Sequence, residues 1–224
     1  RSSAASDVYK RQVVRYDARG HGLSETTPDP AGYSWHELAH DQLALADHLD
    51  IDTYIAAGAS MGTGTALHAA AIAPERISRL VLAIPPTGWE TRAAQTEQWE
   101  LTAQIIEARG VEPIIAARAE MAPPDPFLGD DAKRAAQDAA TRAWEPARLA
   151  QVMRGAATAD LPDRATIATI SAPTLILAWT GDPVHPMSTA EELASLMPDA
   201  RLHAASTAAE LADWTRLVAE FVRA

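Results

Sequence analysis

The 224-residue sequence contains no cysteine, which excludes disulfides and thiolate metal sites. It contains no apolar run near the roughly 18 residues that a membrane-spanning helix needs. Basic residues are outnumbered, 19 Lys and Arg against 30 Asp and Glu, for a net charge of −11 and a pI near 5.0. A nucleic-acid partner wants clustered Lys and Arg, so that class is disfavoured, as is an anionic membrane surface. Lysine itself is scarce, with only Lys10 and Lys133. A reducing, cytoplasmic setting fits the lack of cysteine. With 47% apolar residues, one domain with a sizeable packed core is the natural expectation.

Residues 1–12 (Arg-Ser-Ser-Ala-Ala-Ser-Asp-Val-Tyr-Lys-Arg-Gln) differ in composition from the body and carry no apolar period. They read as a foreign leader or as an ordinary flexible terminus. Beyond them, five short apolar or β-branched runs read as buried strands: residues 13–16, 53–57, 80–84, 174–179 and 201–205. Helical patterns separate most of these runs, which predicts an α/β fold with a mostly parallel sheet and flanking helices. A helix over about 35–49 follows a Ser34-x-x-Glu37 capping box, with Leu38, Leu45 and Leu49 on its apolar face. Further boxes at Ser188/Glu191 and Thr207/Glu210 predict two later helix starts. Residues 87–165 are Ala- and Glu-rich, lack a convincing strand, and are broken by Pro123-Pro124-Asp125-Pro126 and Gly129. They divide the chain into a first core part (13–86), a helical cap (87–165) and a second core part (166–224).

One motif carries chemistry on its own. Gly58-Ala59-Ser60-Met61-Gly62 follows a predicted strand and precedes an Ala-rich helix that stops at Pro74. Gly-x-Ser-x-Gly in that context is the pattern of a nucleophile elbow. A sharp turn lifts the serine hydroxyl above the sheet edge and forces an unfavourable, positive-φ backbone on Ser60. The flanking glycines let strand and helix approach without a Cβ clash. The helix N-terminus faces the place where an oxyanion develops, and the Met61 amide is the natural donor.

From these residues the sequence resembles the α/β-hydrolase superfamily over about 12–224. Val-Val-Arg-Tyr-Asp-Ala-Arg-Gly-His-Gly-Leu-Ser (13–24) looks like the family's strand and turn ahead of its first covering helix. There Asp17 and His21 shape the turn and are not the catalytic pair. Ala-Pro-Glu-Arg-Ile (73–77) resembles the helix exit before the next strand, and residues 173–186 resemble the strand and loop bearing the triad acid. The resemblance implies Ser60 as nucleophile, Asp182 in Gly181-Asp182-Pro183 as acid, and a small-molecule ester or lactone as substrate, with no metal or cofactor. A turn-forming aspartate beside Gly and Pro is the alternative reading of Asp182, and its position favours the acid.

The sequence departs from the family pattern twice. The opening strands and His-Gly oxyanion loop expected ahead of Val13 are not in this sequence, so it reads as the C-terminal two-thirds of such a fold. An uncovered sheet edge would then leave the chain poorly folded or aggregation-prone. The usual histidine loop after the last strand is also missing, since Leu202-His203-Ala204-Ala205-Ser206 runs straight into the capped helix at Thr207. His185, in the stiff Asp-Pro-Val-His-Pro loop, is the best candidate base, against a plain surface histidine. His203 is a weaker candidate. His36, His40 and His48 precede the elbow strand, and His68 lies two turns beyond Ser60. Trp89, Trp99 and Trp144 are either pocket walls or helix-packing bulk. A non-catalytic ligand-binding protein on the same fold is the alternative function.

Overall fold

A computed structural model describes residues 12–224; the leader reading at 1–12 therefore falls almost wholly outside the described residues. Four parallel strands, β1 (Tyr54–Ala59), β2 (Ile77–Ala83), β3 (Thr174–Trp179) and β4 (Ala200–Ala205), form one sheet in the order β1-β2-β3-β4. Before it lies α1 (Trp35–His48), and between β1 and β2 lies α2 (Met61–Ile72). Between β2 and β3 run α3 (Trp89–Ala93), α4 (Thr96–Arg109), α5 (Glu112–Ala119), α6 (Asp131–Arg142), α7 (Pro146–Thr158) and α8 (Arg164–Thr169). Two more helices, α9 (Met187–Leu196) and α10 (Ala208–Phe221), flank β4 in sequence.

The strand alternation of period two decides what covers each face. Leu80 and Leu82 of β2 and Ile176 and Ala178 of β3 join the large core with Trp35, Leu38, Leu67, Ile167 and Leu193, under α1, α2, α8 and α9. Val81, Leu175 and Leu177 point the other way and meet Phe221 and Trp214 of α10. Both faces of β3 are therefore buried, and its run Thr-Leu-Ile-Leu-Ala is buried without alternation, with four apolar residues in succession after Thr174. A separate apolar cluster, Ala103, Ile106, Leu149 and Ala150, holds α4 against α7. No described helix is long and apolar enough to cross a membrane.

Several expectations need correction. Residues 13–16 form no strand, and Val13 is 79% exposed. A strand exists only through its ladder, and no neighbouring strand is present among the described residues to supply one. On α1 the buried face is Trp35, Leu38, Ala39, Leu43 and Ala46, whereas Leu49 is exposed. The cap at Ser34 accepts from the Glu37 amide, but the reciprocal bond is not made, because the Glu37 carboxylate turns to His36. Ser188 caps nothing, since α9 starts one residue earlier after Pro186. Thr207 and Glu210 form the complete reciprocal box.

Candidate active site

The parallel strands deliver their C-terminal ends to one edge of the sheet, where ligand sites of open α/β sheets form. Ser60 follows β1 directly. Its backbone sits at φ +51° and ψ −115°, the positive-φ conformation that the glycine spacing predicts, at a cost on the order of 1–3 kcal/mol. The surroundings hold it there. The Ser60 amide donates to the Ala83 carbonyl at 3.0 Å, and the fully buried Thr63 hydroxyl donates to the same carbonyl at 3.1 Å. The close approach of strand and helix falls on Gly58, where a Cβ would sit 2.1 Å from the Gly62 carbonyl oxygen. A Cβ on Gly62 itself would meet nothing within 4 Å, so the two glycines of the motif are not equivalent.

Asp182 and His185 come from the loop after β3. They are only three residues apart, and the loop folds back so that their side chains pair. Asp182 Oδ1 accepts the backbone amides of Val184 and His185, at 2.9 and 3.3 Å, which winds the chain back over its own carboxylate. Asp182 Oδ2 then accepts from Trp179 Nε1 and pairs with His185 Nδ1, each at 2.8 Å. The far ring nitrogen, His185 Nε2, lies 2.8 Å from Ser60 Oγ. Both loop side chains are largely shielded, His185 at 15% and Asp182 at 10% exposure. Burial alone would raise the Asp182 pKa, but the hydrogen bonds from His185 and Trp179 outweigh it and hold the carboxyl down at about 2. Gly181, at φ +77°, packs against the Asp125 carboxylate, and the Asp125 amide donates to the Thr180 carbonyl. The proline-rich segment thus docks onto this loop.

Met61 opens α2, so its N–H has no partner within the helix. It lines a small cavity with Ser60, His21, Tyr33, Trp35 and Leu38 on the core side. Arg92, Trp99, Val152 and Ala156 close the cavity from α3, α4 and α7. About 70 Å³ of it admits the centre of a water-sized sphere. A wider, more open depression at Asp47, Asp50–Asp52 and Arg76 lies near the opposite end of β1. Asp17 shapes its turn by accepting the Leu23 amide, while Arg148 of α7 clamps that turn through the carbonyls of Gly20, Gly22 and Ser24.

The remaining sequence candidates separate cleanly. Trp99 is a cavity wall; Trp89 donates its indole N–H to the Pro162 carbonyl, and Trp144 packs edge-on against His21. His203 is exposed on β4. His68 is tied to the Asp160 carbonyl at 2.9 Å. His36, Glu37 and His40 bring possible ligand atoms within 4.8 Å of one another on α1, but they are not part of the cavity. Arg92, Tyr33 and Trp35 line the cavity without a sequence signal that marks them. Nothing in a Trp-Glu-Thr-Arg stretch distinguishes a buried arginine from a solvated helix face.

Comparison with known proteins bears on this geometry. The sequence pattern of the alpha/beta hydrolase fold family matches residues 2–108. 3-Oxoadipate enol-lactonase 2 of Acinetobacter baylyi is 31% identical over 77% of this chain, which spans 62% of that enzyme's length. Among solved structures, a hydrolase from Pseudomonas aeruginosa PA01 superposes with a TM-score of 0.75 at 30% identity, covering 94% of this chain and 79% of that one. An enol-lactonase from Burkholderia xenovorans LB400 gives 0.73 at 25% identity, covering 94% and 80%. Parallel sheet, flanking helices, elbow turn and sequence kinship agree, and the chain belongs to the α/β-hydrolase superfamily.

Proposed function

We propose that this chain carries the serine-hydrolase chemistry of an enzyme that cleaves ester or lactone bonds of small molecules. The observation that carries the reading is the unbroken line of 2.8 Å contacts from Ser60 Oγ through His185 to Asp182. Ser60 Oγ attacks the carbonyl carbon while His185 Nε2 takes the hydroxyl proton. Asp182, ionised down to about pH 2, fixes the tautomer with hydrogen on Nδ1 and stabilises the imidazolium. The Met61 amide donates to the carbonyl oxygen as it becomes an oxyanion. His185 then returns the proton to the leaving alkoxide, leaving an acyl-serine. Water, deprotonated by the same nitrogen, attacks that ester and releases the acid. The kinship with two enol-lactonases supports a lactone or ester substrate, and residues 87–165 act as a cap by supplying Arg92, Trp99, Val152 and Ala156 to the pocket.

The test is hydrolysis of p-nitrophenyl esters by the chain and by Ser60→Ala, His185→Ala and His203→Ala. Loss of the nucleophile or of the base is expected to lower kcat by about 10⁴ or more, and by similar factors, because the two act as a unit. His203→Ala is expected to change little. Full activity in His185→Ala, with Ser60→Ala inactive, would remove His185 from the mechanism.

A further inference from the structure

Arg92 is only 4% exposed, although it is a cation on the short helix α3. Its guanidinium lies over the ring of Trp35 at 4.7 Å and of Trp99 at 5.2 Å, so two indole faces fix its plane. Nε donates to the Ala159 carbonyl at 3.0 Å, and Nη2 donates to the Ala156 carbonyl. Among the described residues Nη1 has no acceptor, and no carboxylate forms an ion pair with the group. Asp160 is the one carboxylate whose charge reaches it, and Asp160 Oδ1 already accepts the amides of Trp89 and Leu161. Burial pushes the Arg92 pKa down to about 10, so the group stays cationic at neutral pH.

A buried cation without a counterion is costly, and carbonyl dipoles and indole faces offset that cost only in part. Arg92 lines the same small cavity as Ser60 and Met61. We propose that Arg92 recognises a carboxylate on the substrate, held in this cavity apart from the carbonyl that Ser60 attacks. The proposal rests on the reading of Ser60 as nucleophile and narrows its substrate to monoanionic esters or lactones. One free guanidinium nitrogen suits a carboxylate better than a phosphate dianion, which calls for more donors. Arg92 also ties down the end of α7 through Ala156 and Ala159, so loss of activity in a variant would not by itself separate recognition from support.

The experiment therefore uses a matched pair, p-nitrophenyl butyrate and mono-p-nitrophenyl succinate, in which a carboxylate replaces the terminal methyl. The native chain is expected to favour the succinate ester in kcat/KM by about 10- to 100-fold, the size of one charged hydrogen bond. In Arg92→Met that ratio is expected to fall to near one. Preference for butyrate by the native chain, or a ratio that survives in Arg92→Met, overturns the proposal. Should Arg92→Met fail to fold, the native chain alone decides. Succinate is expected to inhibit competitively and succinamide not to, and equal inhibition by both overturns it. Calorimetric titration of succinate separates the two readings. Binding without hydrolysis of either ester would keep the anion site and remove the nucleophile, while hydrolysis without anion preference would do the reverse. Absence of both binding and hydrolysis overturns both.

Discussion

At the scale of single residues, the candidate site depends on one carboxylate performing two tasks. Asp182 uses Oδ1 to wind the loop through two backbone amides and Oδ2 to hold Trp179 and His185. Its titration should therefore appear in stability as well as in activity. The folded-state pKa of about 2 lies below the ordinary aspartate value of ~3.9 expected of the unfolded chain. The unfolded state then binds more protons between those values, so stability rises with pH across that window. The contribution is present in full above about pH 4 and is lost as pH falls towards 2. Its size is on the order of 2 kcal/mol. Urea unfolding of the native chain and Asp182→Asn should thus differ at pH 5–7 and converge near pH 2. A difference independent of pH would show that the charge of Asp182 is not what stabilises the loop.

At the scale of elements, what the sequence disclosed depended on whether the deciding interaction was local. The complete box at Thr207 and Glu210 involves residues within one helical turn, and the structure forms it as predicted. Ser188 and Glu191 have the same spacing, yet α9 begins at Met187 and leaves Ser188 exposed inside the first turn. The spacing says where a cap can form, while the Pro186 backbone and the packing of Thr189, Ala190 and Leu193 decide where the helix starts. Thr207→Ala is accordingly expected to cost about 1 kcal/mol, and Ser188→Ala less than about 0.5 kcal/mol. Chemical denaturation of the two variants checks both values, and a Ser188→Ala loss as large as that of Thr207→Ala would contradict the assignment. The same rule covers the other differences. Ser60 and its positive φ were legible because the Gly-x-Ser-x-Gly turn is local. Residues 13–16 have the composition of a strand but no partner, and burial of Arg92 depends on Trp35 and α7, which are remote in sequence.

At the scale of the whole molecule, the sheet ends in two strands, β1 and β4, that are each paired on one side only among the described residues. β2 and β3 are paired along both edges, whereas β4 is paired with β3 only and carries α9 and α10 on its two faces. β1 is paired with β2 only, and among the described residues no strand meets its outer edge. Unpaired N–H and C=O groups along such an edge are a template for a second chain. The net charge of −11 opposes close approach, but this repulsion is screened beyond about 8 Å at physiological salt. Backbone pairing acts at contact, so salt should favour association instead of dissolving it. The expectation is concentration-dependent self-association through β1, stronger at high ionic strength, visible by sedimentation velocity. Ala57, exposed on β1, gives the means to test the route. Ala57→Lys and Ala57→Glu change the net charge in opposite directions while both placing a charge on the edge strand. If the edge is responsible, both variants should reduce association. If overall repulsion is responsible, the glutamate should reduce it and the lysine should increase it, and the edge explanation would fail.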